Sequence, residues 1–321
     1  MGLKKIAERI KRNKSFLITS HTNPEGDALG SEIAFYILLS KLGKKAVIVN
    51  EDRPLYGYEF LPGIEGIKRY KNEKQKFDFD CFVTLDSSDL KRTGEVWRLI
   101  RGKEVLNIDH HISNTRFGSV NWVEPYASSC SEMVYRLYKA LKVSLDKDAA
   151  LALYTGILTD TGSFRYSNTS SFTHNAAADL LTYGINVAEV YKYAYENIPF
   201  EDMQVLLKIL PKIKREAKGK LIWFQVPHNL LKKQKISFDL AENILTFGRS
   251  IKGVKVVALF KENLGVSQEI RVNLRSDGKI DVNKIASCFG GGGHKAAAGI
   301  TIHGKIGNVR RRVVSKIRQA L

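Results

Sequence analysis

Hydrophobic and polar positions alternate along the first half of the chain in a β-then-α rhythm. SFLIT (15–19), KAVIVN (45–50), FDCFVTLD (79–86) and KEVLNID (103–109) are short apolar runs of strand length. Between and after them, SEIAFYILLSKLG (31–43, with a glycine stop), CSEMVYRLYKALK (130–142) and DKDAALALYTGILTD (146–160) carry helical spacing. This predicts an α/β fold with a mostly parallel sheet flanked by helices. The run HNAAADLLTYGINVAEVYKYAYENI (174–198) predicts two helices broken near Gly184. Beyond a basic stretch at 211–220, strand candidates at 220–227, 254–262 and 269–276, a glycine run at 290–293 and a closing basic helix predict a smaller mixed α/β domain. The boundaries expected are 1–190, a linker or connecting helix at 191–218, and 219–321.

Composition narrows the classes. Of 321 residues, 44% are hydrophobic and 26% charged, with only 7 Pro, which excludes collagen-like, mucin-like and wholly disordered chains. Lys and Arg exceed Asp and Glu by 51 to 33, and a net charge of +18 favours a polyanionic partner. No apolar run approaches the ~20 residues of a membrane helix, so no membrane association is expected. The N-terminal MGLKKIAERIKRNK reads as a basic amphipathic helix, without the apolar core of a secretory signal. Cys81, Cys130 and Cys288 are far apart and odd in number, so neither a disulfide framework nor a zinc knuckle is expected, and a cytoplasmic location is. The sequon at Asn168–Ser170 is then a chance match.

Three predicted strands run into acidic or histidine-bearing turns: His21-Thr-Asn-Pro-Glu25-Gly-Asp27, Asp86-Ser-Ser-Asp89 and Asp109-His110-His111. The helical run YTGILT ends at Asp160. In a parallel α/β sheet the carboxyl ends of the strands share one edge, where ligands bind. Glu25, Asp27, Asp86, Asp109 and Asp160 would converge there with His21, His110 and His111. So many carboxylates repel one another unless cations lie between them. A carboxylate and imidazole shell without thiolate suits Mn²⁺, Mg²⁺ or Fe²⁺, and the ligand number suggests two ions, which together clamp the attacking and leaving oxygens of a phosphate displacement. Singly, each of these residues is more often a cap, a turn residue or a structural histidine; their joint placement at strand ends changes that weighting.

These motifs, in this order, together with Gly290-Gly291-Gly292-Gly293-His294-Lys295-Ala296-Ala297-Ala298-Gly299, resemble the DHH phosphoesterase superfamily with its associated DHHA1 domain. The two-domain length is similar to that of its compact oligoribonucleases and pAp phosphatases. The resemblance implies two divalent cations, manganese foremost and magnesium second. It implies one metal on His21, Glu25 and Asp86, and another on Asp27, Asp86, His110 and Asp160, with Asp86 bridging. Asp109 would hold the imidazole of His110, and His111 would contact the phosphate and assist the leaving oxygen. The family most often has Asp where this chain has Glu25, one methylene longer. The glycine run is expected to be a flexible loop opening a helix, its amides and His294 holding substrate, with Arg275 and Ser276 beside them. Arg165-Tyr166-Ser167 and Arg92-Thr93-Gly94 are further candidates for the cleft, whereas Ser128, Ser129 and Ser131 read as a helix cap and Arg310, Arg311, Arg312 and Lys316 as a solvated face.

The implied activity is metal-dependent hydrolysis of phosphate esters in short single-stranded RNA, releasing 5′-nucleotides, and removal of the 3′-phosphate of pAp. Cleavage of cyclic di-AMP or pApA is the alternative on the same metal centre. A non-catalytic nucleotide- or RNA-binding module is the alternative of another class, and the intact ligand set speaks against it. A homodimer is compatible with the resemblance.

Overall fold

The computed structural model describes residues 2–72, 74–226, 240–262 and 268–321; Met1 of the first helix expectation and Pro227 of the 220–227 strand expectation lie outside them. Two compact units divide at Asn197 and Ile198. Of the stretch 191–218, residues 191–197 fall in the first unit and 198–218 in the second.

The first unit comprises α1 (Gly2–Arg12), β1 (Ser15–Thr19), α2 (Gly26–Lys41), β2 (Lys45–Asn50), β3 (Lys68–Arg69), β4 (Cys81–Leu85), β5 (Glu104–Asp109), β6 (Val120–Val123), α3 (Cys130–Leu141), α4 (Lys147–Asp160), α5 (Ser171–Leu181) and α6 (Val187–Tyr195). The α5–α6 break contains Gly184 in a left-handed turn, as the spacing predicts. The six strands lie in the order β3-β2-β1-β4-β5-β6, and every described pairing is parallel. β1 and β4 are wholly buried, so they read as continuous apolar runs rather than alternating ones. One face is covered by the helices, around Phe16, Ile18, Leu29, Phe35, Val83 and Leu153. The other packs Leu17, Val49, Phe82 and Val105 beneath Val96 and Leu99.

The chain winds outward in opposite directions from β1 and β4, so a crevice opens between their carboxyl ends. Above it, α2 and α4 approach closely. A Cβ on Gly30 would collide with the Ala152 carbonyl oxygen; one on Gly156 would collide with Ser131 Oγ and stand 2.9 Å from Asp27 Oδ1. Glycine at position 30 lets backbone meet backbone, and glycine at 156 leaves room for the side chains of Ser131, near the start of α3, and Asp27, near the start of α2.

The second unit comprises α7 (Phe200–Ile209), β7 (Lys214–Glu216), β8 (Leu221–Val226), α8 (Leu240–Ser250), β9 (Val256–Glu262), β10 (Glu269–Ser276), α9 (Val282–Ser287), β11 (Gly292–Gly293), β12 (Ala297–His303) and α10 (Ile306–Ala320). Its sheet runs β11-β12-β10-β9-β8-β7 and is mixed, with β8–β9 parallel and the other described pairs antiparallel. Here the glycine run departs from expectation. It opens no helix; Gly292 and Gly293 pair with Gly299 and Ala298 to form a hairpin, and Ala297–His303 continues as a strand along β10. The reason is steric: a Cβ on Gly291 would collide with the Gly299 carbonyl oxygen, and Gly293 holds a φ of 145°. Cross-strand pairing overrides the helix preference of the three alanines.

Candidate metal centre

The carboxyl ends of β1, β4 and β5, the start of α2 and the end of α4 deliver the predicted residues of the first unit to one place. His21 follows β1, Asp86 follows β4, Asp109 ends β5 and His110 follows it, Asp27 lies in the first turn of α2, and Asp160 ends α4. Asp27, Asp86, Asp109, His21 and His110 are all buried, and Asp160 is partly exposed.

Asp86 is the hub. His21 Nε2 stands 3.5 Å from Asp86 Oδ2, and His110 Nε2 stands 3.4 Å from Asp86 Oδ1. The same His110 nitrogen is 3.7 Å from Asp27 Oδ2 and 3.6 Å from Asp160 Oδ2. Donor atoms of Asp27, His110 and Asp160 lie within 4.8 Å of one another, as do those of Asp86, Asp109 and His111. Asp86 has a φ of 53°, in the left-handed region that Asp tolerates better than most residues. Its amide donates to the Ile108 carbonyl at 3.1 Å, tying the ends of β4 and β5 together.

Both metal-type histidines are set the same way. His21 Nδ1 faces the Thr22 carbonyl oxygen at 2.8 Å, and His110 Nδ1 faces the Ala127 carbonyl oxygen at 3.3 Å. A ring nitrogen that bonds a carbonyl carries the hydrogen, so each neutral ring turns its Nε2 lone pair toward Asp86. A lone pair facing carboxylates at 3.4–3.7 Å is repulsive unless a proton or a metal cation lies between them. The titration behaviour expresses the same demand. Burial opposes charge on His110, but Asp160, Asp86 and Asp27 reverse that and hold its pKa well above the usual imidazole range. Burial also works against the Asp86 carboxylate, yet the nearby rings of His110 and His21 keep it well below the usual range. Burial, then repulsion from Asp86 and Asp160, pushes Asp27 well up. Buried Asp86 Oδ1 accepts no hydrogen bond of ordinary geometry among the described residues. The donor set, all oxygen and imidazole nitrogen, fits divalent cations.

One residue departs from its expected place. Asp109 Oδ1 lies 2.7 Å from His111 Nδ1, so it orients His111 rather than His110; the Ala127 carbonyl takes the His110 role, because the chain turns after Asp109 and the two rings diverge edge to face. The Asp109 pKa falls to about 2: burial would raise it, but His111 prevails through charge and hydrogen bond. Glu25 caps α2 by position, without a side-chain cap bond, and is exposed; its charge reaches His21, favouring the imidazolium.

Several supports lie outside the motif residues. Asn114 Nδ2 donates to Asp109 Oδ2 at 2.6 Å. Asn168 Nδ2 donates to the Asp160 and Ser128 carbonyls. The amides of Cys130 and Ser131, opening α3, donate to the two oxygens of Asp27 at 2.7 and 2.8 Å. Ser129 caps that helix, accepting from the Glu132 amide, as the serine cluster predicts. Asn114 follows Asp109 by five residues and Asn168 follows Asp160 by eight, so proximity to the motifs was the available signal. Arg92 lies near enough to His21 to oppose its protonation, and Arg165 Nε donates to the Gly162 carbonyl. In the second unit, Arg275 Nη2 contacts Glu242 Oε2 at 2.6 Å. Ser276 is buried, its hydroxyl bonding the Ile280 carbonyl, and His294 sits in the β11–β12 turn, its amide bonded to the Ala297 carbonyl.

A parallel sheet with this carboxylate–imidazole rim defines a metal-dependent phosphoesterase architecture. Comparison with known proteins agrees: the DHH family, N-terminal domain, matches residues 15–157, and the DHHA1 domain matches residues 218–321. The bifunctional oligoribonuclease and PAP phosphatase NrnA of Thermus thermophilus is 32% identical over 319 residues, covering 98% of this chain and 93% of that protein. An exopolyphosphatase-related protein from Bacteroides fragilis is 25% identical, with a TM-score of 0.86, covering 99% of this chain and 95% of that one. RecJ from Thermus thermophilus in complex with Mn²⁺ shares the fold at 14% identity and a TM-score of 0.55, covering 99% of this chain and 54% of RecJ. The chain belongs to the DHH family.

Proposed function

We propose that the protein hydrolyses phosphate esters at the ends of short oligoribonucleotides, releasing 5′-nucleotides, and removes the 3′-phosphate of pAp. The carrying observation is Asp86, approached from two sides by the Nε2 atoms of His21 and His110. The Thermus relative at 32% identity over nearly the whole chain bears a name with the same pair of activities.

His21, Glu25 and Asp86 would hold one cation, and Asp27, Asp86, His110 and Asp160 a second; Mn²⁺ is the assigned metal. Such a pair, when bound, lowers the pKa of water and neutralises phosphoryl charge. The chain's own residues do the rest. The carbonyls of Thr22 and Ala127 fix the two imidazole tautomers. Amides of α3 anchor Asp27, so its carboxylate does not swing. Asp109 occupies Nδ1 of His111, so proton delivery to the departing ester oxygen falls to Nε2 as the P–O bond breaks. In the second unit we assign substrate contact to Arg275 and His294 and to the amides of Gly291, Gly292 and Gly293, with Ser276 holding the turn beside Arg275. The cytoplasm is the assigned location. A homodimer is an assembly that light scattering tests.

Product analysis on pAp, pApA, cyclic di-AMP and a short RNA in parallel, with Mn²⁺ and with chelator, decides the substrate. Mononucleotide from RNA and AMP from pAp, both lost on chelation, are expected. Turnover of cyclic di-AMP alone, or products that persist in chelator, would overturn the assignment.

A further inference from the structure

Behind the metal centre lies a buried carboxylate that the proposed reaction does not use. Glu32, on α2, and Asn50, ending β2, are almost completely buried, and Ser20 nearly so. Asn50 Nδ2 donates to Glu32 Oε2 at 2.8 Å. The other end of the same carboxamide, Oδ1, accepts from the Ser20 amide at 3.3 Å and the Thr19 hydroxyl at 3.2 Å. The Asn50 carbonyl is taken by the Tyr70 amide at 2.7 Å, so the backbone of this residue is tied as well as its side chain. Thr19 and Ser20 are the two residues that lead into His21.

An acidic side chain this deep is costly to keep, and a carboxamide needs no carboxylate to stay in a fold. The link it makes is directional. Asn50 can present Oδ1 to Ser20 only if its Nδ2 end has an acceptor, and Glu32 supplies that acceptor. Without it the amide plane of Asn50 loses its preferred orientation, and the β1 end that carries His21 loses one of its fixed points.

We propose that Glu32 is a positioning residue for His21: acting through Asn50, it fixes the Ser20–His21 backbone so that the ring presents Nε2 to Asp86. The proposal rests on the metal-centre reading above and deepens it. Burial pushes the Glu32 pKa up to about 7, against the opposing hydrogen bond from Asn50; a neutral amide is therefore a fair stand-in for this side chain.

Calorimetric titration of the full-length, metal-stripped protein with Mn²⁺ tests it, with circular dichroism confirming the fold of each variant. Glu32→Gln keeps an oxygen to accept from Asn50 and should bind Mn²⁺ within about threefold of the parent. Glu32→Ala should weaken one of two Mn²⁺ binding steps by about 10- to 100-fold, the range seen when an outer support of a metal ligand is removed. Asn50→Ser breaks the same link from its other end and should reproduce the loss; it carries the test if Glu32→Ala does not fold. In assays at saturating pApA the loss should appear in kcat and be recovered at high Mn²⁺, with KM little changed. Folded Ala and Ser variants with the parent's Mn²⁺ isotherm, even if less heat-stable, would overturn the positioning role and leave the metal centre standing. A parent protein that takes up no Mn²⁺ would overturn both.

Discussion

The two units solve opposite electrostatic problems. The first, residues 1–197, has 27 Lys and Arg against 24 Asp and Glu, near balance. The second, residues 198–321, has 24 against 9, and so carries most of the chain's excess positive charge. Burial runs the other way. Nearly all the buried polar and charged side chains among the described residues lie in the first unit; the second contributes only Asp202 and Ser276. One unit therefore concentrates charge inside, where low dielectric makes each interaction strong and selective. The other carries mostly one sign of charge, and such an excess favours phosphate backbones in general without selecting among them. On the proposed function, chemistry would fall to the first unit and capture to the second, and substitutions should then sort accordingly.

The largest effect is expected at the hub. Asp86→Asn or His110→Ala should lower kcat on pApA by about a thousandfold or more, the several kcal/mol a metal centre supplies, while the metal-free protein keeps its fold by circular dichroism. Wild-type turnover in either would break the division at once. Next, Gly156→Ala should cost about 2–3 kcal/mol in urea unfolding, because the new methyl meets Ser131 and Asp27. It should weaken turnover more than substrate affinity. Third is acid stability. The Asp109 carboxyl titrates lower in the fold, at about 2, than its ordinary 3.8. Its contribution is therefore present above pH 4 and lost as pH falls from about 4 through about 2. Metal-free parent protein should lose about 2 kcal/mol more than Asp109→Asn across that window, and equal losses would show that His111 does not hold the carboxylate. The smallest effects belong to the second unit. Arg275→Ala or His294→Ala should raise KM for short RNA by about tenfold with kcat within about twofold. A drop in kcat instead would place those residues in the chemistry and blur the comparison.

Legibility followed the same division. The catalytic-type residues could be read because apolar runs ended in Asp or His, and a parallel sheet gathers strand ends on one edge; His21, Asp86 and Asp109 arrive by that rule alone. Asp160 arrived by a helix end, which the run YTGILT already marked. Less visible was anything decided by backbone partners. The tautomers of His21 and His110 depend on the carbonyls of Thr22 and Ala127, and Ala127 lies seventeen residues from His110 in sequence. Pairing of Asp109 with His111 depends on how one turn swings two adjacent rings. β6, with only four residues, carries too little pattern to announce itself. The glycine hairpin was misread because glycine has no side chain from which a period could be taken, and three alanines following it favour helix when considered locally. Only the seven-residue pairing with β10 settles that segment as a strand.

The left-handed backbone at Asp86 restricts what evolution can place there. Glycine would take the conformation and leave nothing to grip a cation. Asparagine would take it and forfeit the negative charge, while glutamate would bring the charge on a longer stem to a turn that disfavours it. Aspartate alone meets both demands, so drift at this position is closed from the side of shape as well as from that of chemistry.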